Sequence, residues 1–74
     1  MILYHRIDDP DSAAVRRRVV ELGLKARLDF QNVDTDGAEA FAKLGGGRVP
    51  ALWDGERLHV GKRAALAVLE TLPR

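Results

Sequence analysis

The residue that most constrains the fold is Pro50, which opens a short apolar segment, Ala51-Leu52-Trp53, with the composition of a strand. Proline has no N–H to donate to a sheet ladder, so within a strand it is confined to the first position, an edge or a bulge. Two interpretations are open. A trans proline could open the strand after the flexible glycines that precede it. Alternatively, the Val49-Pro50 bond is cis, as are about 5–6% of X-Pro bonds in folded proteins, and turns the Val49 backbone outward to pair with an extended ligand.

Composition restricts the class of protein. The chain has 74 residues, of which 46% are hydrophobic and 31% are charged, so we expect one globular domain over residues 1–74. No apolar run approaches the ~20 residues of a membrane span, and no secretory leader pattern is present, which predicts a soluble, unprocessed, cytoplasmic chain. The net charge of +1 provides no general attraction for nucleic acid or membrane, and we expect neither as a partner.

The chain contains no cysteine, which excludes disulfides, thiolate metal sites and thiol nucleophiles. It is therefore not a dithiol oxidoreductase. His5 and His59 lie far apart in the sequence, and neither has a second ligand at metal-binding spacing. We expect no metal site and interpret both histidines as surface or half-buried strand residues.

In the N-terminal half, the apolar run Ile2-Leu3-Tyr4-His5 predicts a strand. Asp9 is a candidate N-cap, and Pro10 suits the first position of a helix that we expect to extend to Leu22. From Ala26 the hydrophobic period becomes two residues, which predicts a second strand with one solvated face.

In the C-terminal half, the spacing of Asp36 and Glu39 is that of a capping box and predicts a short second helix that ends at the glycines before Arg48. Asp54-Gly55 is a hairpin signal between two further strands, Ala51 to Trp53 and Arg57 to Val60. An apolar stripe predicts a last helix beginning near Lys62. The order β-α-β-α-β-β-α predicts an α/β fold, a four-stranded mixed sheet with helices on both faces.

This order resembles the thioredoxin fold in its short glutaredoxin-like form, and particularly the N-terminal, glutathione-binding domain of soluble glutathione transferases. The resemblance spans nearly the whole chain and is carried by these segments: Ile2-Leu3-Tyr4, Val15-Arg16, Glu21-Leu22-Gly23-Leu24, Gly47-Arg48-Val49-Pro50-Ala51-Leu52 and Asp54-Gly55. It implies that Pro50 is the cis residue, that the Val49 backbone binds the cysteinyl backbone of glutathione, and that glutathione is a candidate ligand.

The chain departs from these families at the positions of their reactive residues. Asp9-Pro10-Asp11-Ser12 stands in place of the glutaredoxin Cys-Pro-x-Cys, with Asp9 at the reactive position. A carboxylate with an ordinary pKa of about 3.9 is anionic at neutral pH and would repel a glutathione thiolate. We therefore interpret Asp9 as a helix cap. Ser12 would need a neighbouring base to act as a nucleophile, and His5 is the only candidate.

A second departure lies at Gly61-Lys62, where the transferases carry Glu-Ser. In those families the serine and the helix amides bind the γ-glutamyl carboxylate. Here Gly61 permits close backbone approach, and the helix amides with Lys62 and Arg63 could bind a carboxylate. The alternative is that these basic residues are merely solvated at a helix start.

Two further features are interpreted structurally. The run Arg16-Arg17-Arg18 lies within the first helix, where consecutive side chains diverge by about 100°, and we expect a solvated helix face. Trp53 is interpreted as a hairpin residue that covers the small core.

Three functional hypotheses follow. The first is a non-catalytic module that binds a glutathione-like or extended peptide ligand, or a protein partner, at Val49, Pro50, Gly61 and Lys62. The second is a glutathione-dependent transferase or reductase that uses Ser12 or Tyr4. The third is a structural scaffold that dimerises through a sheet edge or through Trp53.

Overall fold

The structure is a computed structural model that describes residues 1–73, and its central feature is a four-stranded sheet in the order β2-β1-β3-β4. β1 pairs parallel with β2 and antiparallel with β3, and β3 pairs antiparallel with β4. These pairings confirm the predicted α/β class and the mixed sheet. The elements, in chain order, are β1 (Ile2–His5), α1 (Pro10–Glu21), a 3₁₀ turn (Lys25–Arg27), β2 (Asp29–Asn32), α2 (Ala38–Lys43), β3 (Ala51–Trp53), β4 (Leu58–Val60) and α3 (Lys62–Thr71).

The alternation of side chains along the two central strands builds a separate apolar layer on each face of the sheet. On one face, α1 and α3 pack on β1 and β3 through the buried side chains of Leu3, Val15, Val19, Leu52, Ala65 and Leu69. On the other face, α2 contributes Phe41, which packs with Tyr4 and Ala51. The sheet therefore has helices on both faces.

The start of α1 follows the sequence signals. Asp9 is the N-cap in an extended conformation, and its carboxylate accepts a hydrogen bond of 2.8 Å from the Ser12 N–H. Pro10 occupies the first helical position, where its missing N–H costs nothing. At the other end, Gly23 has a φ of 69°, a left-handed conformation that suits glycine after a helix.

Two predicted strand starts are wrong. β2 begins at Asp29 rather than at Ala26, because β1 offers Ile2 as its first pairing residue and Ile2 lies opposite Asp29. The residues before it form the 3₁₀ turn, where Ala26 is exposed. β4 begins at Leu58 rather than at Arg57.

The capping box predicted for α2 is not formed. The N-cap is Gly37, without a side-chain hydrogen bond. The Asp36 carboxylate instead accepts from the Asn32 N–H at 2.9 Å and so closes the loop after β2. A carboxylate near a helix start can accept a hydrogen bond either from the N–H groups of the helix or from those of the preceding loop. The Asp36 carboxylate accepts from the segment before the helix, at Asn32.

None of the helices within residues 1–73 has both the length and the apolar composition required to cross a bilayer.

Candidate functional site

The Val49-Pro50 peptide bond is cis, and it immediately precedes β3. The Pro50 carbonyl accepts a hydrogen bond of 2.8 Å from the Gly61 N–H, which ties this corner to the start of α3. Within residues 1–73, the N–H and C=O of the half-buried Val49 make no hydrogen bond. The residue before the proline therefore offers a free donor and a free acceptor beside each other.

A cavity of about 290 Å³ lies beside this corner. Its apolar part includes Phe41, whose ring centroid lies 5.0 Å from that of the buried Tyr4. Gly46 also lines the cavity, and the Phe41 ring lies so close to it that a side chain on Gly46 would collide with the ring. The lining residues are Arg6, Val33, Ala38, Phe41, Ala42, Gly46, Gly47, Arg48 and Val49.

The charged residues that line the cavity are both arginines. The Arg6 Nε lies 3.1 and 3.0 Å from the two carboxylate oxygens of Asp34, which raises the pKa of Arg6. Arg48 is exposed and makes no ion pair or hydrogen bond with any residue in the described part of the chain. One of the two positive charges is thus unneutralised.

On the other side of the corner, the first turns of α1 and α3 approach each other. Lys62 Nζ lies 3.7 Å from the Asp11 carboxylate. Gly61 has a φ of 97°, a conformation that side chains strongly disfavour, and its N–H donates to Pro50. The structure therefore brings three of the ligand-binding residues suggested by the sequence, Pro50, Gly61 and Lys62, to one end of the sheet next to Val49.

The candidate catalytic residues are inaccessible in the structure. Ser12 has 0% relative exposure, and its hydroxyl accepts a hydrogen bond of 3.2 Å from the Arg6 N–H. Its own N–H donates to Asp9, and hydrogen bonding to Ser12 lowers the pKa of that carboxyl. Tyr4 is 1% exposed, and burial raises the pKa of its phenol. Neither group is presented to a substrate.

Arg16 has a role that sequence reasoning missed. Its guanidinium lies 2.9 Å from His5 Nδ1 and donates to the carbonyls of Arg6 and Ile7 at 3.1 and 3.2 Å. The prediction of a solvated helix face is therefore wrong for Arg16, which holds the loop after β1 against α1. Within the run Arg16-Arg17-Arg18, no local signal distinguishes the residue that faces this loop.

His5 is buried rather than at the surface or half-buried, with 5% exposure. A guanidinium can only donate, so His5 Nδ1 accepts the hydrogen bond and the ring proton lies on Nε2. Burial, and next the positive charge of Arg16, lower the pKa of His5. Its Nδ1 is occupied by Arg16, which argues against His5 as a base for Ser12.

The second histidine belongs to the hairpin. His59 Nε2 lies 2.7 Å from the Asp54 carboxylate, which also accepts from the N–H groups of Glu56 and Arg57. The hydrogen bond with His59 and those from the backbone lower the pKa of Asp54. Trp53, next to it, is half-buried and packs against the Tyr4 layer. The hydrogen bonds of Asp54 stabilise the turn. His59 and Trp53 therefore both have a structural role.

Within residues 1–73, no group of three or more histidine, aspartate or glutamate side chains is arranged to hold a metal ion. Comparison of the chain with protein-family models, with curated proteins and with solved structures gives no match.

Proposed function

We propose that this protein is a non-catalytic module of glutaredoxin-like or glutathione-transferase-like architecture that binds a glutathione-like or other extended peptide ligand at Val49 and Pro50. The observation that carries the proposal is the unpaired backbone of Val49 at the edge of the cavity. An extended peptide can satisfy both free groups at once, as in strand addition, because its own N–H and C=O point the same way at a given residue.

The neighbouring elements support this assignment. The Gly61 N–H is engaged with Pro50, so the α3 terminus and the corner form one connected surface. Lys62 is half-exposed there, with Asp11 as its nearest carboxylate at 3.7 Å. That long, solvated contact is weak, and a ligand carboxylate could compete for the ammonium group.

The enzymatic alternative receives less support. Ser12 and Tyr4, the groups that would replace the missing thiol, are both buried, and the Ser12 hydroxyl is already used as an acceptor. A nucleophile or thiolate-stabilising hydroxyl must reach the substrate, so these side chains would have to leave the core. For the scaffold hypothesis, β2 and β4 are the edges of the sheet, but Trp53 packs inward.

The test is a titration of ¹⁵N-labelled protein with reduced glutathione, followed by amide chemical shifts. We expect saturable shifts at Val49, Ala51 and Gly61, with the exposed α1 residue Val20 as an internal control that stays in place. A matched ligand methylated on the cysteinyl nitrogen lacks the donor that would pair with Val49, and it should bind more weakly.

The concentration range of the titration determines how weak a site can still be detected. A Kd of about 1 mM corresponds to about −4.1 kcal/mol, so a titration to about 10 mM would nearly saturate even a weak site. Glutathione that moves none of the three amides in this range would overturn its assignment as ligand. Equal binding of the methylated and unmethylated ligands would overturn the backbone pairing at Val49.

A further inference from the structure

We propose that the cavity between α2 and the glycine loop binds the anionic end of a small amphipathic molecule, a carboxylate or a phosphate monoester, through the amides of Gly47 and Arg48 and the Arg48 guanidinium. The inference goes beyond the proposed function and does not depend on it, because these donors are separate from the Val49 groups that would pair with a peptide. The candidate ligand is defined by charge, donors and the shape of the lining.

The first argument is the supply of free donors. Gly45 and Gly46 donate their N–H groups to α2 carbonyls, at 3.0 Å to Ala42 and 2.9 Å to Phe41. The next two residues, Gly47 and Arg48, donate no backbone hydrogen bond within residues 1–73. Backbone N–H groups without an internal acceptor are available to donate to the oxygens of a bound anion.

The second argument is charge. Arg6 and Arg48 both line the cavity, and no aspartate or glutamate is among its lining residues. The Arg6 charge is matched by Asp34 outside the lining, whereas Arg48 has no partner in the described part of the chain. A guanidinium recognises carboxylate and phosphate oxygens with two parallel hydrogen bonds, which makes an oxyanion its natural complement.

The third argument concerns the rest of the ligand. A volume of about 290 Å³ is near the lower end of small-molecule sites and exceeds what a bare anion fills. The remaining lining is apolar, from Val33, Ala38, Phe41 and Ala42. A molecule with an apolar body and one anionic end satisfies both parts of the lining, whereas a free inorganic anion would leave the apolar part empty.

The experiment titrates phenyl phosphate, phenylacetate and the neutral benzyl alcohol into ¹⁵N-labelled protein at constant ionic strength. We expect at least one of the two anions to shift the amides of Gly47 and Arg48, and benzyl alcohol not to saturate. The anion that saturates at the lower concentration identifies the source of the oxyanion, a phosphate monoester or a carboxylate.

The matched variants are Arg48→Gln and Arg17→Gln, which remove one positive charge each from an exposed side chain. Arg17 lies on α1, which packs on the opposite face of the sheet from α2. Loss of a charge-assisted hydrogen bond should raise the Kd about tenfold in Arg48→Gln and leave it unchanged in Arg17→Gln. The proposal is overturned if Arg48→Gln binds the anions as the unaltered chain does, if benzyl alcohol binds equally well, or if neither amide moves.

A glutathione titration of the unaltered protein, compared with the two anion titrations of the same protein, separates the two proposals. If glutathione shifts Val49 and Ala51 while both anions fail to shift Gly47, the oxyanion site is wrong and the proposed function stands. If the anions bind and glutathione does not, the proposed function is wrong and the oxyanion site stands.

Discussion

Replacement of Gly46 by alanine is expected to destabilise the protein through one defined clash. A Cβ at position 46 would lie 2.5 Å from Phe41 Cζ and closer still to Cδ1 and Cε1. The ring cannot simply swing into solvent without cost, because Phe41 is 7% exposed and packs on Tyr4, which is 1% exposed. The clash must therefore be relieved by moving the ring or the loop.

Forcing an extra carbon into a packed site costs about 1–3 kcal/mol, and this is the loss in free energy of unfolding that we expect. For a domain of this size, each kcal/mol lowers the Tm by about 4–8 °C. The adjacent Gly47→Ala is the matched control, because nothing lies within 4 Å of its added Cβ. That variant should be unchanged or stabilised by about 0.4–1 kcal/mol through a less flexible unfolded chain.

The assay is urea unfolding followed by the fluorescence of Trp53, the chain's one tryptophan. A two-state fit gives the midpoint and the slope for each variant. The clash is tested further by adding Phe41→Leu to Gly46→Ala, since the smaller side chain makes room for the new Cβ. The double variant should lose less stability than the sum of the two single losses.

Two results would refute this reasoning. One is a Gly46→Ala variant as stable as Gly47→Ala. The other is strict additivity in the double variant, which would mean that the alanine and the ring do not interact.

The remaining predictions concern the other layer of the core, the helix cap and pH. Leu52→Ala should cost about 2–5 kcal/mol in urea unfolding, because Leu52 is 0% exposed and its removal leaves a cavity. Asp9→Ala should cost about 1 kcal/mol, whereas Asp9→Asn, which can still accept from Ser12, should cost less. The pKa of His5 is lowered in the folded state, so below about pH 6.5 the unfolded chain binds a proton that the folded chain resists. Stability should fall between pH 7 and pH 5, and less steeply in His5→Asn, whose amide oxygen can accept from Arg16; an unchanged slope would contradict the assignment.

The extent to which the fold could be predicted depends on how local its determinants are. Asp9 and Pro10 mark the start of α1 by their own chemistry, since one side chain satisfies a free N–H and the other residue lacks one. The start of β2 depends instead on pairing, because Asp29 begins the strand where β1 offers Ile2 as a partner. Periodicity from Ala26 onward carries no information about that register.

The same distinction applies to the candidate site. Val49 and Pro50 could be identified because a proline cannot donate to a ladder wherever it stands. The cavity could not, because Arg6, Phe41 and Arg48 come from three separate parts of the chain and meet only after folding. The hydrogen bonds of Arg16 to the loop after β1 could not be predicted either. Its two neighbours in the sequence are also arginines, and only the folded structure shows which of the three faces the loop.

Phe41 belongs both to the packed core and to the lining of the candidate site. Its ring contacts Tyr4 in the core, lines the cavity, and lies against Gly46 in the loop that continues to Arg48 and Val49. A side chain at position 46 should therefore disturb the cavity as well as the core, so Gly46→Ala should weaken ligand binding even under conditions in which the variant is fully folded. Leu52 packs on the opposite face of the sheet, against α1 and α3. Leu52→Ala should lower stability at least as much as Gly46→Ala does. It should leave the affinity of the folded fraction unchanged, because the void left by the missing Leu52 atoms lies on the face of the sheet where no ligand contact is expected.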